Sequence, residues 1–214
     1  MRFLDSAAVD AALDDIALVD RLAALFRAGC EMPVRHHHPI KAPTGPGSAD
    51  AMLLLMPAWT AATATQRHIG VKIVTVFPDN GLKSLPSIYG QYLLLSGETG
   101  APVALLDGTM LTKRRTACAS GLASRYLSRP DSRSLLMIGT GALAPELIRV
   151  HCKIRPIERV AIWGRTHAHA QSLARQLSDS LPKALGRSVS VTAVDDRAAA
   201  AREADVISCA TLSK

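Results

Sequence analysis

Apolar residues recur every three or four positions over residues 5–29, which predicts one amphipathic helix or two short helices in succession. Asp5 or Ser6 can cap the start of this region, and Gly29 can end it. The next stretch, 33–47, is rich in proline and glycine, so we do not expect it to be regular for long.

Short apolar runs replace the helical spacing over residues 51–107. They lie at 52–56, 69–76, 89–95 and 103–106, and turn residues separate them, as is typical of strands. The sequence Ser-Gly-Glu-Thr-Gly at 96–100 predicts a hairpin loop. We therefore expect an antiparallel or mixed sheet packed on the first helix, which makes an α+β domain.

The last third of the chain alternates between strand and helix patterns. A helix predicted over 111–127 leads into it. Strands are predicted at 135–138, 160–163, 189–194 and 206–210, and helices at 142–153, 167–181 and 197–204. Alternation with short connections predicts a parallel, doubly wound sheet. We expect an α/β protein with one domain over 1–127, which includes the linking helix, and a second over 131–214.

The first predicted strand of the second domain runs directly into Gly139-Thr140-Gly141-Ala142-Leu143-Ala144. In this context Gly139 permits a tight turn, Gly141 lets the backbone approach a pyrophosphate, and Ala144 allows close packing of helix on strand. The helix N-terminus then faces the phosphates. The motif predicts a dinucleotide-binding Rossmann domain. The alternative is a doubly wound fold in which the glycines serve only the turn.

The second strand of this domain ends in Gly164-Arg165-Thr166, where an NAD site would carry an acidic residue for the ribose hydroxyl. A cation and a hydroxyl suit a 2'-phosphate instead. We therefore expect Arg165 and Thr166 to bind the cofactor and NADP(H) to be preferred, with NAD(H) as the alternative. Arg165 could also be an ordinary exposed arginine at a helix start.

The net charge of +7 raises the question of nucleic-acid binding. The 25 Lys and Arg and the 18 Asp and Glu are spread over both halves of the chain, and only Lys113-Arg114-Arg115 is locally dense. Aromatic residues make up 4% of the chain, which leaves little material for base stacking. We expect no nucleic-acid partner.

Cysteine and histidine spacing argues against a metal site. The four cysteines lie far apart and match no zinc spacing, which favours a reducing compartment. Consecutive histidines at 36–38 alternate in direction on an extended chain and cannot chelate together. Asp5 and Asp10 interrupt any signal-peptide core, and no apolar run is long enough to span a membrane. We expect a cytoplasmic protein with no metal and no membrane partner.

Several stretches resemble the ornithine cyclodeaminase/mu-crystallin family in order and spacing. The stretches are Met56-Pro57, Gly70-Val71-Lys72, Ala101-Pro102-Val103-Ala104-Leu105-Leu106-Asp107-Gly108, Leu111-Thr112-Lys113-Arg114-Arg115-Thr116-Ala117, the Gly139 loop and Ala210-Thr211-Leu212-Ser213. The resemblance covers essentially the whole chain. It implies a homodimer whose first domain binds substrate and forms the dimer.

The resemblance also implies roles for particular residues. A basic triad that holds the substrate carboxylate matches Arg35, Lys72 and Arg115, and of these we expect Lys72 to be catalytic as well. Thr116 matches a position near the cofactor phosphates. The pair Ala210-Thr211 falls near the nicotinamide ribose. Each basic residue has a simpler alternative, such as a solvated loop, a strand-end lysine or a charged helix face.

Two reactions are found in this family: conversion of ornithine to proline and ammonia with NAD, and reduction of cyclic ketimines such as pyrroline-2-carboxylate with NADPH. Ornithine enzymes carry an acid in the strand before Met-Pro, where this chain has Leu54. We therefore expect a ketimine reductase, with ornithine cyclodeaminase and a non-catalytic, NADP-binding crystallin-like protein as alternatives. The family's proton-handling aspartate falls beyond Lys214, so we expect a C-terminally truncated member that is deficient in catalysis and stability.

Overall fold

The computed structural model describes residues 1–42 and 49–211. Residues 43–48 of the predicted turn-rich stretch, and Leu212 and Ser213 of the downstream motif, lie outside the described residues. The chain divides into two compact units. The first contains Met1–Leu13 and Ala24–Thr112, and the second contains Asp14–Ala23 and the chain from Lys113 onward. The predicted division at 127–131 differs, because it assigned 14–23 and all of the helix at 111–127 to the first domain.

The first unit is built on a seven-stranded mixed sheet. Its strands are β1 (Arg2–Leu4), β2 (Cys30–Glu31), β3 (His36–Ile40), β4 (Ala51–Thr60), β5 (His68–Val76), β6 (Ile88–Ser96) and β7 (Pro102–Asp107). Their order is β1-β7-β6-β5-β4-β2, and β3 also pairs with β4. The β1–β7 pair is parallel and the others are antiparallel. The expected mixed sheet is therefore confirmed.

The hairpin predicted at 96–100 joins β6 to β7. The N–H of Ser96 donates to the carbonyl of Ala101 at 2.9 Å, and Gly100 supplies the positive φ of 71° that closes the turn. Strand β3 was not expected, because it lies within the proline-rich stretch. It forms because the edge of β4 offers partners, with His36 opposite Leu55. Long-range pairing of this kind leaves no local periodic signal.

The N-terminal amphipathic region forms two helices, α1 (Ser6–Ala12) and α2 (Asp15–Ala28). Asp5 caps α1 by accepting a hydrogen bond from the N–H of Ala8 at 2.8 Å. Asp14 caps α2 in the same way, from Ala17 at 2.9 Å, and this bond lowers the pKa of Asp14. Gly29, with a φ of 77°, follows the end of α2 as predicted. The two helices are separated at Leu13, because the next residue, Asp14, caps the start of α2.

The second unit contains a four-stranded parallel sheet in the order β10-β9-β8-β11. Its elements are α3 (Gly108–Leu127), β8 (Ser134–Ile138), α4 (Ala144–Ile154), β9 (Arg159–Trp163), α5 (His167–Leu185), β10 (Ser190–Ala193), α6 (Arg197–Glu203) and β11 (Val206–Cys209). Helix α3 begins before the unit boundary, three residues earlier than predicted, because Asp107 caps it through the N–H of Met110. The predicted α/β class with a doubly wound sheet is confirmed.

The apolar runs of the central strands form the core of the second unit. Leu136, Met137 and Ile162 have no solvent exposure, as expected for strands covered on both faces. Asp205 fixes the start of β11 against β8, because its carboxylate accepts hydrogen bonds from the N–H groups of Arg133 and Ser134. These bonds lower the pKa of Asp205. No helix within residues 1–42 and 49–211 is long and apolar enough to cross a membrane.

Candidate functional site

The carboxyl ends of three parallel strands meet at the glycine loop of the second unit. The N–H of Gly139, directly after β8, donates to the carbonyl of Trp163 on β9 at 2.8 Å. The N–H of Ala210, directly after β11, donates to the carbonyl of Ile138 at 2.8 Å. In open α/β sheets ligands bind outside this edge, where the strand order reverses. Here the reversal lies between β8 and β11.

Two glycines allow close packing around the loop. Gly139 has a φ of 123°, and a Cβ there would lie 2.4 Å from the carbonyl oxygen of Ala210 and 3.5 Å from Cγ2 of Thr211. A Cβ at Gly164 would lie 2.8 Å from Cγ2 of Thr140. The structure therefore brings together Gly139, Thr140, Ala210 and Thr211, four of the residues predicted to bind the cofactor.

Gly141 differs from these positions, because a Cβ there would meet nothing within 4 Å. Within the described part of the chain, the N–H groups of Gly141, Ala142 and Leu143 donate to no acceptor. Helix α4 begins next, at the buried Ala144, and no side chain caps it. Open space beside backbone donors at a helix N-terminus suits an anion. The loop therefore fits the pyrophosphate of a dinucleotide.

The end of β9 is followed by a cation and a hydroxyl rather than an acid. Arg165 and Thr166 follow the strand and are exposed. The guanidinium carbon of Arg197 lies 4.9 Å from the centre of the Trp163 ring, a cation–π contact. The Trp163 Nε1–H donates to the carbonyl of Asp195 at 3.1 Å, which holds the ring in place. No local sequence pattern predicts the contact of Arg197 with Trp163, because the contact depends on neighbouring strand ends.

Both acids of the loop between β10 and α6 already have partners. The carboxylate of Asp195 lies 2.6 Å from Nδ1 of His167, and that of Asp196 caps α6 through the N–H groups of Ala198 and Ala199. The Asp196 carboxylate is therefore occupied in capping α6, whereas the Asp195 side chain is 81% exposed.

Helix α3 carries the predicted residues Arg115 and Thr116 side by side. Arg115 is exposed, whereas Oγ1 of Thr116 is buried and has no hydrogen-bond partner among the described residues. A buried hydroxyl without a partner is costly, so its position fits a ligand group that the described residues do not supply.

A buried ion-pair network lies behind these residues, and the sequence interpretation missed it. Asp15 is 1% exposed, and its carboxylate contacts Arg114 at 3.0 Å, Arg149 at 3.0 Å and Lys153 at 2.9 Å. Glu146, in the first turn of α4, contacts Arg149 at 2.5 Å. The available signal was that Asp15 lies one and two helical turns before the buried Val19 and Ala23.

The first unit positions Arg35 and Lys72 on one region of its sheet. Lys72 lies on β5, with Met56 of β4 directly opposite on one side and Tyr92 of β6 on the other. Arg35 is exposed and immediately precedes β3, which pairs with the other edge of β4. Leu54, which stands where the family resemblance places an acid in ornithine enzymes, lies on the same strand as Met56. Of the three triad positions, Arg35 and Lys72 therefore lie in the first unit and Arg115 lies in the second.

The histidines at 36–38 lie on β3 and are exposed. The rings of His36 and His38 are 6.0 Å apart and edge-on. Within residues 1–42 and 49–211 no group of three or more His, Cys, Asp or Glu side chains could hold a metal ion. Two histidines on one face of an exposed strand therefore have no third ligand in the part of the chain described.

The parallel sheet, with its glycine loop at the strand-order reversal, defines a Rossmann-type α/β protein. The family model described as "Ornithine cyclodeaminase/mu-crystallin family" matches residues 14–214. The chain belongs to this family, and the resemblance seen in the sequence is confirmed.

Individual relatives match the chain along its length. It is 41% identical over 213 residues to an uncharacterized protein of Schizosaccharomyces pombe, covering 100% of this chain and 62% of that protein. It is 36% identical over 215 residues to the Delta(1)-pyrroline-2-carboxylate reductase of Colwellia psychrerythraea, and the match covers 100% of this chain and 64% of that protein. Among solved structures, the chain superposes with a TM-score of 0.80 on the Thermococcus litoralis Delta(1)-pyrroline-2-carboxylate reductase in complex with NADH and L-proline. The two sequences are 26% identical, and the match covers 99% of this chain and 62% of that one. The chain spans about three fifths of the length of these proteins.

Proposed function

We propose that the chain carries the substrate-binding and cofactor-binding parts of an NAD(P)H-dependent reductase of cyclic ketimines of the pyrroline-2-carboxylate type, which forms a cyclic amino acid such as proline. The observation that carries the proposal is the loop at 139–143, in which the N–H groups of 141–143 donate to no acceptor among the described residues and a Cβ at Gly141 would meet nothing within 4 Å. This loop lies in a chain that is similar over its whole length to a Delta(1)-pyrroline-2-carboxylate reductase.

The second unit would hold the cofactor. Gly139, Thr140, Gly141 and Ala142 would surround the pyrophosphate, and the Thr116 hydroxyl would donate to a phosphate oxygen. Ala210 and Thr211 would lie by the nicotinamide ribose. When bound, the reduced nicotinamide supplies a hydride to the substrate. The chain's own contribution is to fix the phosphates with backbone donors that need no rearrangement.

We propose that NADPH is preferred over NADH. Arg165 and Thr166 would bind the 2'-phosphate, and a guanidinium offers a phosphate two parallel hydrogen bonds. The support is that β9 is followed by Gly164-Arg165-Thr166, with no acid, and that the nearby Asp196 caps α6. Binding of NADH by the Thermococcus relative supports only the nicotinamide class of cofactor.

The basic residues Arg35, Lys72 and Arg115 would hold the substrate carboxylate, as the family resemblance implies. Lys72 would also act in catalysis, because its ammonium orients the carboxylate and with it the C=N carbon that accepts the hydride. Leu54 and its cross-strand partners His37 and Val74 offer no carboxylate for a second amine. This favours a cyclic imino acid over ornithine.

For the whole protein we propose a cytoplasmic homodimer in which residues 1–127 bind substrate and form the dimer and 131–214 bind the cofactor. The experiment is a set of assays on the 214-residue chain and on a full-length relative. The substrates are pyrroline-2-carboxylate and piperideine-2-carboxylate with NADPH or NADH, and ornithine with NAD. We expect ketimine reduction with NADPH to give the highest kcat/KM. A preference for ornithine would contradict the proposal, and tight NADPH binding without turnover would favour a binding protein.

A further inference from the structure

Tyr92 lies directly opposite Lys72 in the β5–β6 pair, with both side chains on the same face of the sheet. We propose that the Tyr92 hydroxyl is a further substrate-binding group, which donates a hydrogen bond to the anionic cyclic imino acid beside the Lys72 ammonium. The identity of this substrate rests on the proposed function. The role of Tyr92 itself rests on its position.

The Tyr92 ring reaches across the neighbouring strand. A Cβ at Gly70 would lie 1.8 Å from Oη of Tyr92 and 2.6 Å from Cζ. Only glycine at position 70 therefore leaves room for the hydroxyl. Gly70 and Lys72 are two residues apart on β5 and point to the same face, so the phenol is placed over the strand that carries Lys72.

Packing explains the ring but not the hydroxyl. An aromatic ring that covers a strand glycine replaces the missing side-chain contacts, and phenylalanine would do this equally well. In the part of the chain that the structure describes, the hydroxyl of Tyr92 takes part in no hydrogen bond. Burial raises the pKa of Tyr92, so the phenol keeps its proton at neutral pH and remains a donor.

A neutral donor next to an ammonium suits an anionic ligand. The ammonium supplies charge without strong direction, whereas the phenol O–H adds a directed hydrogen bond. A hydrogen bond to a charged group contributes enough to change affinity by roughly ten- to a hundredfold. A ligand carboxylate bound by Lys72 would give the Tyr92 hydroxyl the acceptor that it lacks among the described residues.

The experiment compares Tyr92→Phe with Tyr89→Phe. Tyr89 lies on the same strand, opposite Thr75 on the other face of the sheet, and is 48% exposed, so it controls for loss of a phenol oxygen from β6. Three quantities are measured on the 214-residue chain: kcat/KM for pyrroline-2-carboxylate, the Kd of the planar, non-reducible analogue pyrrole-2-carboxylate with NADPH present, and the Tm. The Kd of NADPH serves as an internal control.

We expect Tyr92→Phe to weaken analogue binding and lower kcat/KM by roughly ten- to a hundredfold, with the NADPH Kd and the Tm unchanged. Tyr89→Phe should match the wild type. Equal affinities for the analogue in all three proteins, or a loss that follows a lower Tm, would overturn the role of Tyr92. If the wild type binds the analogue without any ketimine turnover, the assays of the full-length relative decide on the proposed reaction, and the analogue Kd still decides on Tyr92. If the wild type binds no analogue, both proposals fail.

Discussion

Asp15 and Arg114 form an ion pair that is shielded from solvent, with 3.0 Å between Oδ1 and Nη2 and side-chain exposures of 1% and 6%. Arg149 and Lys153 of α4 contact the same carboxylate. Arg114 directly precedes Arg115 and Thr116, and α4 directly follows the glycine loop. The Asp15 carboxylate therefore links the helix that carries two predicted ligand residues to the helix that follows the glycine loop.

Replacing Asp15 with asparagine should destabilise the second unit strongly. The substitution keeps the size of the side chain but leaves three cations around a neutral amide. Removing one partner from a buried ion pair costs about 3–5 kcal/mol. Urea denaturation followed by circular dichroism measures the free energy of unfolding.

Asp20→Asn is the matched control on the same helix. Asp20 is 60% exposed and contacts Arg125 at 2.5 Å, so its pair is solvated and its loss should cost about 1 kcal/mol or less. Equal losses for the two variants would mean that the buried network adds nothing beyond a surface pair.

The glycines of the loop should separate folding from cofactor binding. Gly139→Ala places a side chain at positive φ and 2.4 Å from a carbonyl oxygen, so it should cost at least about 1–3 kcal/mol. Gly141→Ala points its methyl into open space. It should leave the Tm unchanged while raising the Kd of NADPH at least tenfold. Fluorescence titration with NADPH measures this, and an unchanged Kd in Gly141→Ala would remove the loop from the cofactor site.

Arg165→Ser should discriminate between the two nicotinamide cofactors. Loss of a guanidinium from a 2'-phosphate removes a charge-assisted hydrogen bond, which raises the Kd of NADPH by roughly ten- to a hundredfold. The Kd of NADH should stay within about twofold, because NADH lacks that phosphate. Arg175→Ser, at an exposed position on α5, controls for the change in net charge. A parallel loss for both cofactors would contradict a specific role for Arg165.

The sequence predicted the second unit well because its signals are local. A glycine-rich motif between a buried strand and a helix can be recognised from the sequence alone. The alternation of strands and helices predicts a parallel, doubly wound sheet. The first unit was harder. Strand β3 depends on the open edge of β4, and no periodicity within 33–47 marks it.

The missed parts of the site have the same origin. Asp15 appeared to be one more acid near a helix start, since only its packing against α3 and α4 shows that it is buried. Arg197 approaches Trp163 because β9 and β10 are neighbours. Tyr92 gained a role only through its register with Lys72 and the space left at Gly70. Contacts between residues distant in sequence cannot be read from spacing along one chain.

His151 should make stability depend on pH. It lies on α4, is 5% exposed, and neither ring nitrogen has a hydrogen-bond partner among the described residues. Burial lowers the pKa of His151 to about 4, below its ordinary value of 6.5. The unfolded chain therefore binds more protons than the folded chain between these values. The resulting stability is complete above pH 6.5 and is lost as the pH falls toward 4.

His151→Leu should remove this dependence, because leucine fills a similar volume and does not titrate. Relative to the wild type it should gain up to about 3 kcal/mol at pH 4 compared with pH 7, at roughly 1.4 kcal/mol per pKa unit. Urea denaturation at several pH values between 4 and 7 measures the difference. His169→Leu, at an exposed position on α5, should keep the wild-type slope. The same slope in wild type and His151→Leu would mean that His151 is solvated or paired in the folded protein.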